Sequence, residues 1–335
     1  MRAKRNCLLL CLWLVFLISG SSCAYQAQNV FPLDNAYPRH NTLVAELNRI
    51  SNAAPGLVKH RIIGFSDTES LPIYALELGK GERNILIIGQ HHGEEVLGVA
   101  LSLYYAESLS QRYDKDKRIR EILNEYTLWI VPSLNPEGWR IVSEGVINSK
   151  RKNNRDTDKN GRLDLRTDGV DLNRNYPVFW DKDSELNPLS TNYKGSEPAS
   201  EAEIKAIIQL GRQKDFSFAI FYHSSALGLL NERIFLPAVD KHNDKYLDLQ
   251  RLAALYAKKT PRDYERGHYS LHLGPSSRVG NARNFFYHSL GVPAMLIEVG
   301  GINKAGVSVI HPPARILQKI QKRHLEALLC LLEAM

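Results

Sequence analysis

Cysteine is scarce in this chain. Of its four cysteines, Cys7, Cys11 and Cys23 fall in the first 24 residues and only Cys330 lies beyond them. A fold with one late cysteine has no internal disulfide framework, so its core must hold it together unaided. Cys330 stands on an apolar helical stretch and reads as a small buried hydrophobe. Long apolar runs are missing too. The longest, Leu8 to Ile18, covers 11 residues, well short of the roughly 20 that a bilayer span needs. Internal repeats, low-complexity tracts and nucleic-acid-binding motifs are absent. Nothing therefore turns the net charge of +7 into a nucleic-acid footprint.

The surroundings of that apolar run have a pattern. Arg2, Lys4 and Arg5 precede it, and Gly20-Ser21-Ser22-Cys23-Ala24 follows with small side chains. Basic start, short apolar centre and small-residue end make a secretory signal peptide over residues 1–24, cleaved after Ala24. Lipid attachment at Cys23 is the rival, but Gly20 stands where a large aliphatic residue is usual. Removing residues 1–24 lowers the formal charge from +7 to +4, so the remaining chain is only mildly basic. An exported protein, periplasmic or secreted and without a retained membrane anchor, is the expectation.

Beyond residue 24, strand and helix patterns alternate. Apolar spacing predicts helices near 41–52, 95–110, 200–212, 245–258 and 313–332. Strands are predicted near 57–65, 71–78, 85–88, 126–131, 216–222 and 294–299. The wholly apolar run Ile85-Leu86-Ile87-Ile88 fits a strand covered on both faces. The alternation predicts one α/β domain over residues 25–335, three layers deep, with a mixed, mostly parallel central sheet. The helix and three strands before His92 leave no room for a separate propeptide domain, which needs at least about 50 residues. Pro132 to Ala199 is a long polar stretch of the kind that compact domains keep for function.

Chemistry gathers at predicted strand ends, where ligand sites of open α/β sheets lie. Gln90-His91-His92-Gly93-Glu94-Glu95 joins a buried strand to a helix. A His and a Glu three apart can face one ion, and imidazole nitrogen and carboxylate oxygen both suit Zn²⁺. The spacing allows His91 with Glu94 or His92 with Glu95. His223 closes the apolar strand Phe216 to Tyr222 and supplies a third ligand; two His and one Glu leave a fourth position open, as in catalytic zinc sites.

These pieces and their order resemble the zinc carboxypeptidase family over most of the chain. The resemblance rests on His92-Gly93-Glu94-Glu95, on a turn at Asn135-Pro136-Glu137-Gly138, and on Gly169-Val170-Asp171-Leu172-Asn173-Arg174-Asn175. Gly195-Ser196-Glu197-Pro198-Ala199-Ser200-Glu201, His223-Ser224 and Ile297-Glu298-Val299-Gly300 complete it. It implies the His92, Glu95 and His223 frame for one Zn²⁺. Glu298 becomes general base, taking a proton from water and passing it to the leaving amine. Asn173 and Arg174 become the clamp on a substrate's free carboxylate, which suits the planar guanidinium fork. An oxyanion-stabilising Arg is implied shortly before this segment. In Lys150-Arg151-Lys152-Asn153-Asn154-Arg155 the choice is Arg155, with Arg151 as the fallback.

Three further features bear on metal and substrate. Asp156, Asp158, Asn160 and Asp164 hold positions 1, 3, 5 and 9 of a loop with Gly161 at position 6, resembling a Ca²⁺ loop without the usual Glu at position 12. Arg283 falls near the residue that lines the side-chain pocket in this family, where a cation favours a second carboxylate. The segment around it resembles members that cut γ-D-glutamyl–diaminopimelate bonds of bacterial cell-wall peptides. The Tyr that covers the substrate is missing before it, since Ser276-Ser277 stand there, and Tyr269 is the nearest replacement. The expectation is a monomeric zinc peptidase acting on peptides or muropeptides, hydrolysing a bond beside a free carboxylate. Ordinary C-terminal carboxypeptidase activity comes second. A zinc-stabilised peptidoglycan-binding protein without turnover and an acylase on the same scaffold are the other readings.

Overall fold

The computed structural model describes residues 33–335. The leader-like residues 1–24, with Cys7, Cys11 and Cys23, lie outside the described residues. The chain enters through helix α1 (Leu43–Ala53) and three strands, β1 (Val58–Phe65), β2 (Pro72–Gly79) and β3 (Arg83–Ile88). Helices α2 (Val96–Arg112) and α3 (Lys117–Glu125) lead to β4 (Tyr126–Val131) and the short helix α4 (Pro136–Ser143). A long irregular segment precedes α5 (Ala202–Gln213) and β5 (Phe216–His223). Then come β6 (Arg233–Phe235), α6 (Asp244–Lys259), β7 (Ser270–Leu271), α7 (Ala282–Ser289) and β8 (Ala294–Glu298). The small ribbon β9 (Gly301–Ile302) and β10 (Ser308–Val309) and the long helix α8 (Ala314–Ala334) end the fold.

Eight strands form one sheet in the order β1-β2-β4-β3-β5-β8-β6-β7. The centre, β4-β3-β5-β8, is parallel, and antiparallel pairs join β1 to β2, β2 to β4 and β8 to β6. The sheet is mixed and mostly parallel, as the alternation predicts. Its two faces carry separate cores. Ile85, Ile87, Phe218, Ile220 and Tyr222 pack on one side with residues of α1, α2, α3, α6 and α8. Leu86, Ile88, Ala219 and Phe221 pack on the other with residues of α5 and α7. Alternate side chains of a strand point to opposite faces, so a wholly apolar strand means two covered faces and three layers.

Topology positions the site. From β3 the chain crosses by α2 and α3 to β4 on one side, whereas β5 pairs with the other side of β3. That reversal opens a crevice at the carboxyl ends of the strands. In neighbouring parallel strands, His223 and Glu298 are register partners and the last residues of β5 and β8.

Several local expectations are corrected. Asn135-Pro136-Glu137-Gly138 opens α4 instead of forming a free turn: the Asn135 side chain accepts the Gly138 N–H and Pro136 takes the first helical turn. The segment 132–199 stays mostly irregular but is densely pinned. Lys150 Nζ donates to Asp168 O (3.0 Å), and Lys152 Nζ donates to the carbonyls of Thr167, Pro188 and Ser190 (2.6–3.0 Å). Cys330 is half-buried beside Arg118, not in the core, because α8 turns it towards the charged seam with α3.

Candidate active site

His92, Glu95 and His223 converge. His92 Nδ1 lies 2.8 Å from Glu95 Oε1, His223 Nδ1 lies 2.9 Å from Glu95 Oε2, and the two Nδ1 atoms are 3.2 Å apart. All three residues are buried. Two imidazole nitrogens and a carboxylate facing one point form an N₂O donor set that fits Zn²⁺. His91 stays outside it. Its ring stacks on His223 at 5.1 Å, and its Nε2 lies 2.9 Å from the Tyr176 hydroxyl. Glycine at position 93 is a packing requirement, because a Cβ there would stand 2.5 Å from the Lys150 carbonyl oxygen.

The outer nitrogens of the two histidines are also held. His92 Nε2 lies 3.0 Å from Asp171 Oδ1, and His223 Nε2 lies 3.1 Å from the Asn173 side-chain nitrogen. Asp171 is fully buried, and its second oxygen accepts two bonds from Arg151, at 2.7 and 3.1 Å. One carboxylate thus fixes both a candidate ligand and the neighbouring guanidinium, the kind of outer support that orients metal-binding histidines. Sequence reasoning passed over this residue. Its position two before the Asn173-Arg174 pair was the available signal.

Electrostatics fit a cation. Burial and Arg151 pull the His92 pKa down, but Glu95 and Asp171 outweigh them and set it at about 9. Burial opposes ionisation of Glu95, yet His92 and His223 hold its carboxyl well below the usual carboxylate range. Burial lowers His223 to about 4 against the pull of Glu95. Glu298 is pushed up to about 8, first by burial and then by the Glu95 charge, and its buried Oε2 has no hydrogen-bond partner. A divalent ion at the focus of the three donors favours neutral imidazoles and ionised carboxylates, relieving the conflicts that this constellation holds without one.

The cluster lines a cavity of about 650 Å³, whose lining also includes Glu298, Asn173, Arg174, Arg283 and Arg151. Arg151 Nη1 lies 3.1 Å from His92 Nδ1 and 3.8 Å from Glu95. Arg155 does not reach this cavity. It pairs with Glu201 at 2.8 Å and with Asp67, so the guanidinium beside the donor set is Arg151. The chain turns away after Arg151 because Lys152 and Asn153 point into buried anchors, and Arg155 follows them to the edge of α5. Tyr269 is also displaced. It is buried behind the sheet, donating to Asp263 and facing His324, and does not line the cavity.

Arg283 lies in the first turn of α7, 6% exposed, with Nε donating to Leu236 O and Nη2 to Ser277 Oγ, each at 3.0 Å. No carboxylate stands within ion-pairing distance of it among the described residues. Arg174 donates to its neighbour's carbonyl and approaches Asp183 at 3.8 Å. In the Ca²⁺-like loop, Asp156 and Asp158 gather with Asp168. Asn160 and Asp164 instead accept backbone N–H groups of Arg162, Arg166 and Thr167. The ligand set expected from spacing is therefore not assembled as a unit.

Residues 43–327 match the family described as zinc carboxypeptidase. Metallocarboxypeptidase A of Trichophyton rubrum is 31% identical over 166 residues, covering 47% of this chain and 38% of that protein. Human mast cell carboxypeptidase A is 27% identical over 215 residues, covering 62% of this chain and 50% of the relative. The matched regions thus span half or less of these relatives' length. In fold, the chain is similar to bovine thrombin-activatable fibrinolysis inhibitor in complex with tick carboxypeptidase inhibitor. The TM-score is 0.73 and the identity 22%, with 89% of this chain and 96% of that chain covered. It is also similar to carboxypeptidase A from Helicoverpa armigera, with TM-score 0.75 and 17% identity over 89% of this chain and 73% of the other. Among the described residues, no helix is long and apolar enough to cross a membrane. With the match extending through the donor set, the irregular segment and the strand that ends in Glu298, the chain belongs to the zinc carboxypeptidase family.

Proposed function

We propose that this protein is a zinc-dependent carboxypeptidase that hydrolyses a peptide bond beside a free carboxylate, preferentially in peptides derived from bacterial cell wall. The observation that carries the reaction is the His92, Glu95 and His223 donor set lining a cavity shared with Glu298. A zinc ion held there supplies Lewis acidity, polarising an amide carbonyl and acidifying a water. The chain supplies the rest. Asn173 and Arg174 hold the terminal carboxylate with amide and guanidinium donors. Arg151, fixed by Asp171, points its remaining N–H groups at the oxygen where negative charge develops. Glu298 accepts the proton of the attacking water and delivers it to the departing amine. The rise of its pKa to about 8 marks a basic carboxylate, and a cation nearby lowers it towards the working range.

Arg283 supports the finer reading. A buried guanidinium without a carboxylate partner, in the same cavity as Arg174, suits a terminal residue with a second carboxylate. Diaminopimelate is such a residue, and glutamate is another. The leader-like pattern of residues 1–24 supports export to the compartment where such peptides occur. The test is digestion of γ-D-glutamyl–diaminopimelate peptides beside peptides ending in Glu, Leu and Lys, with products identified by mass spectrometry. Release of diaminopimelate, blocked by chelation and by Glu298→Gln, is expected. Arg283→Ala should lose the preference for the dicarboxylic terminus. Faster release of Leu or Lys would remove the cell-wall reading, and release of no terminal residue would remove the carboxypeptidase reading.

A further inference from the structure

His91 belongs neither to the donor set nor to the lining of the cavity. It is nonetheless completely buried, one residue before the donor His92. Its Nε2 has a single partner, the Tyr176 hydroxyl at 2.9 Å, and its Nδ1 has none. A buried polar atom without a partner is costly, and an aliphatic side chain would escape that cost. Filling space alone does not call for an imidazole here.

The nearest ring to His91 is His223. The two imidazoles are almost parallel, 17° apart, with centroids at 5.1 Å. Phe221 and Tyr176 stand further off, each at 5.9 Å and steeply inclined. The other holds on His223 are at its nitrogens, Glu95 at Nδ1 and Asn173 at Nε2. Contacts at two nitrogens fix the edge of a ring more firmly than its plane, and a flat neighbour on the face fixes the plane. An imidazole nitrogen offers its lone pair within that plane. The tilt of the ring therefore decides whether Nδ1 points at the focus shared with His92 and Glu95.

Tyr176 holds His91 in its turn. Its backbone N–H donates to Gly280 O at 3.0 Å, and its ring leans on Phe285 of α7 at 5.7 Å. It is fully buried, and among the described residues its hydroxyl meets no side chain but His91. A fixed backbone and a packed ring make that hydroxyl a fixed point.

We infer that His91 is a positioning residue for the metal: held by the Tyr176 hydroxyl, its ring sets the plane of His223 and so the aim of the third donor nitrogen. This rests on the donor set as a zinc site and on nothing about the substrate. Groups that orient metal ligands from behind change metal affinity about 10- to 100-fold, and one face-on contact belongs at the lower end.

The test reads metal binding. Chelator competition gives the zinc Kd of the folded wild type, His91→Leu, His91→Phe and Tyr176→Phe. Cobalt in place of zinc reports donor geometry through its visible absorption bands, and urea midpoints of the metal-free proteins read stability separately. His91→Leu should raise Kd about tenfold and shift the cobalt bands. Tyr176→Phe, which removes one oxygen outside the cavity, should move both in the same direction by less. His91→Phe restores a flat face and should recover most of what His91→Leu loses. If His91→Phe does not fold, Tyr176→Phe decides: shifted cobalt bands sustain the inference and unaltered bands overturn it. Zinc Kd and cobalt bands unchanged in both His91→Leu and Tyr176→Phe overturn it as well. So does a weaker zinc affinity that follows the metal-free urea midpoint while the cobalt bands stay as in the wild type, the mark of a merely structural role. A His223→Ala protein that binds zinc as tightly as the wild type would remove the donor set and this inference together. Hydrolysis enters none of these readouts, so the carboxypeptidase reading stands or falls separately.

Discussion

Arg151 and Arg155 are four residues apart in one basic run, and their surroundings predict opposite defects. Arg151 donates to fully buried Asp171 and stands beside the donor set. Replacing it with Ala removes the donor assigned to the developing oxyanion. Loss of one such donor lowers kcat by about 10²- to 10³-fold, or roughly 3–4 kcal/mol of transition-state stabilisation. Arg151→Lys should recover little of this, since an ammonium keeps the charge without the planar fork that spans Asp171 and substrate.

Arg155 serves a structural ion pair. Its partner Glu201 is fully buried and keeps bonds from Asn153 (2.7 Å) and Ser200 (2.6 Å) when the guanidinium is removed. Stripping one partner from a buried pair costs about 3–5 kcal/mol. Arg155 is itself partly exposed, and solvent screening reduces the expected loss to about 1–3 kcal/mol. Arg155→Ala should therefore lower the denaturation midpoint while each folded, zinc-loaded molecule turns over at close to the wild-type rate. The assay pairs initial-rate kinetics, normalised to bound zinc, with urea unfolding for each variant. A 100-fold fall in kcat for Arg155→Ala with unchanged stability, or kcat within threefold of wild type for Arg151→Ala, would refute the placement.

Further outcomes follow from other parts of the molecule. Glu298→Gln should bind zinc as the wild type does and lose about 10²- to 10⁴-fold in kcat, the range for general acid–base groups; zinc content by mass spectrometry and kcat check the two halves. Gly93→Ala should reduce zinc content because its Cβ collides with the Lys150 carbonyl, whereas Gly161→Ala, whose Cβ meets nothing within 4 Å but whose φ of +79° strains an L residue, should cost some stability and leave the zinc content of the folded protein unchanged. Burial holds His324 neutral, with a pKa of about 3 and its nitrogens facing Tyr256 and Tyr269. Because the folded pKa lies below the unfolded one, this stabilisation is complete above pH 6.5 and is lost as pH falls towards 3. That amounts to on the order of 5 kcal/mol. Urea midpoints between pH 8 and 4 should show part of this loss, and His324→Phe should reduce it, with His311, held by burial at about 4, still contributing in the same direction. If residues 1–24 are a cleaved leader, the exported protein should begin at Tyr25, and a lipid-modified Cys23 in its intact mass would contradict that.

What could be read from the sequence follows from how local each signal is. The apolar runs of β3, β5 and β8 specify buried strands by themselves, and strand ends are where this topology opens a crevice. His223 and Glu298 could thus be placed without coordinates. The elements missed are short or carry mixed signals. In α4, Pro136 and Gly138 punctuate like a turn, yet Asn135 caps a helix with them. In α7, eight residues give too little periodicity for a helix to stand out. β6 and β7 are fragments of three and two residues, β6 paired on the edge of β8 and β7 on the edge of β6.

The irregular segment shows where reading by spacing stops. Between Lys150 and Arg155 every side chain is polar, so neither period 3.6 nor period 2 marks which one faces the cavity. The direction is decided by distant partners: Glu201 for Asn153 and Arg155, the carbonyls of Thr167, Pro188 and Ser190 for Lys152, and Asp171 for Arg151. Each lies 15 to 48 residues along the chain. Choosing Arg155 by spacing amounts to assuming an uninterrupted run towards the site. The buried lysine and asparagine anchors break that run and leave Arg151 as the guanidinium that Asp171 can orient. For the same reason Asp171 escapes a motif-based reading: it supports the donor set from behind, through His92 and Arg151, a role that depends on the three-dimensional meeting of the end of β3 with the irregular segment.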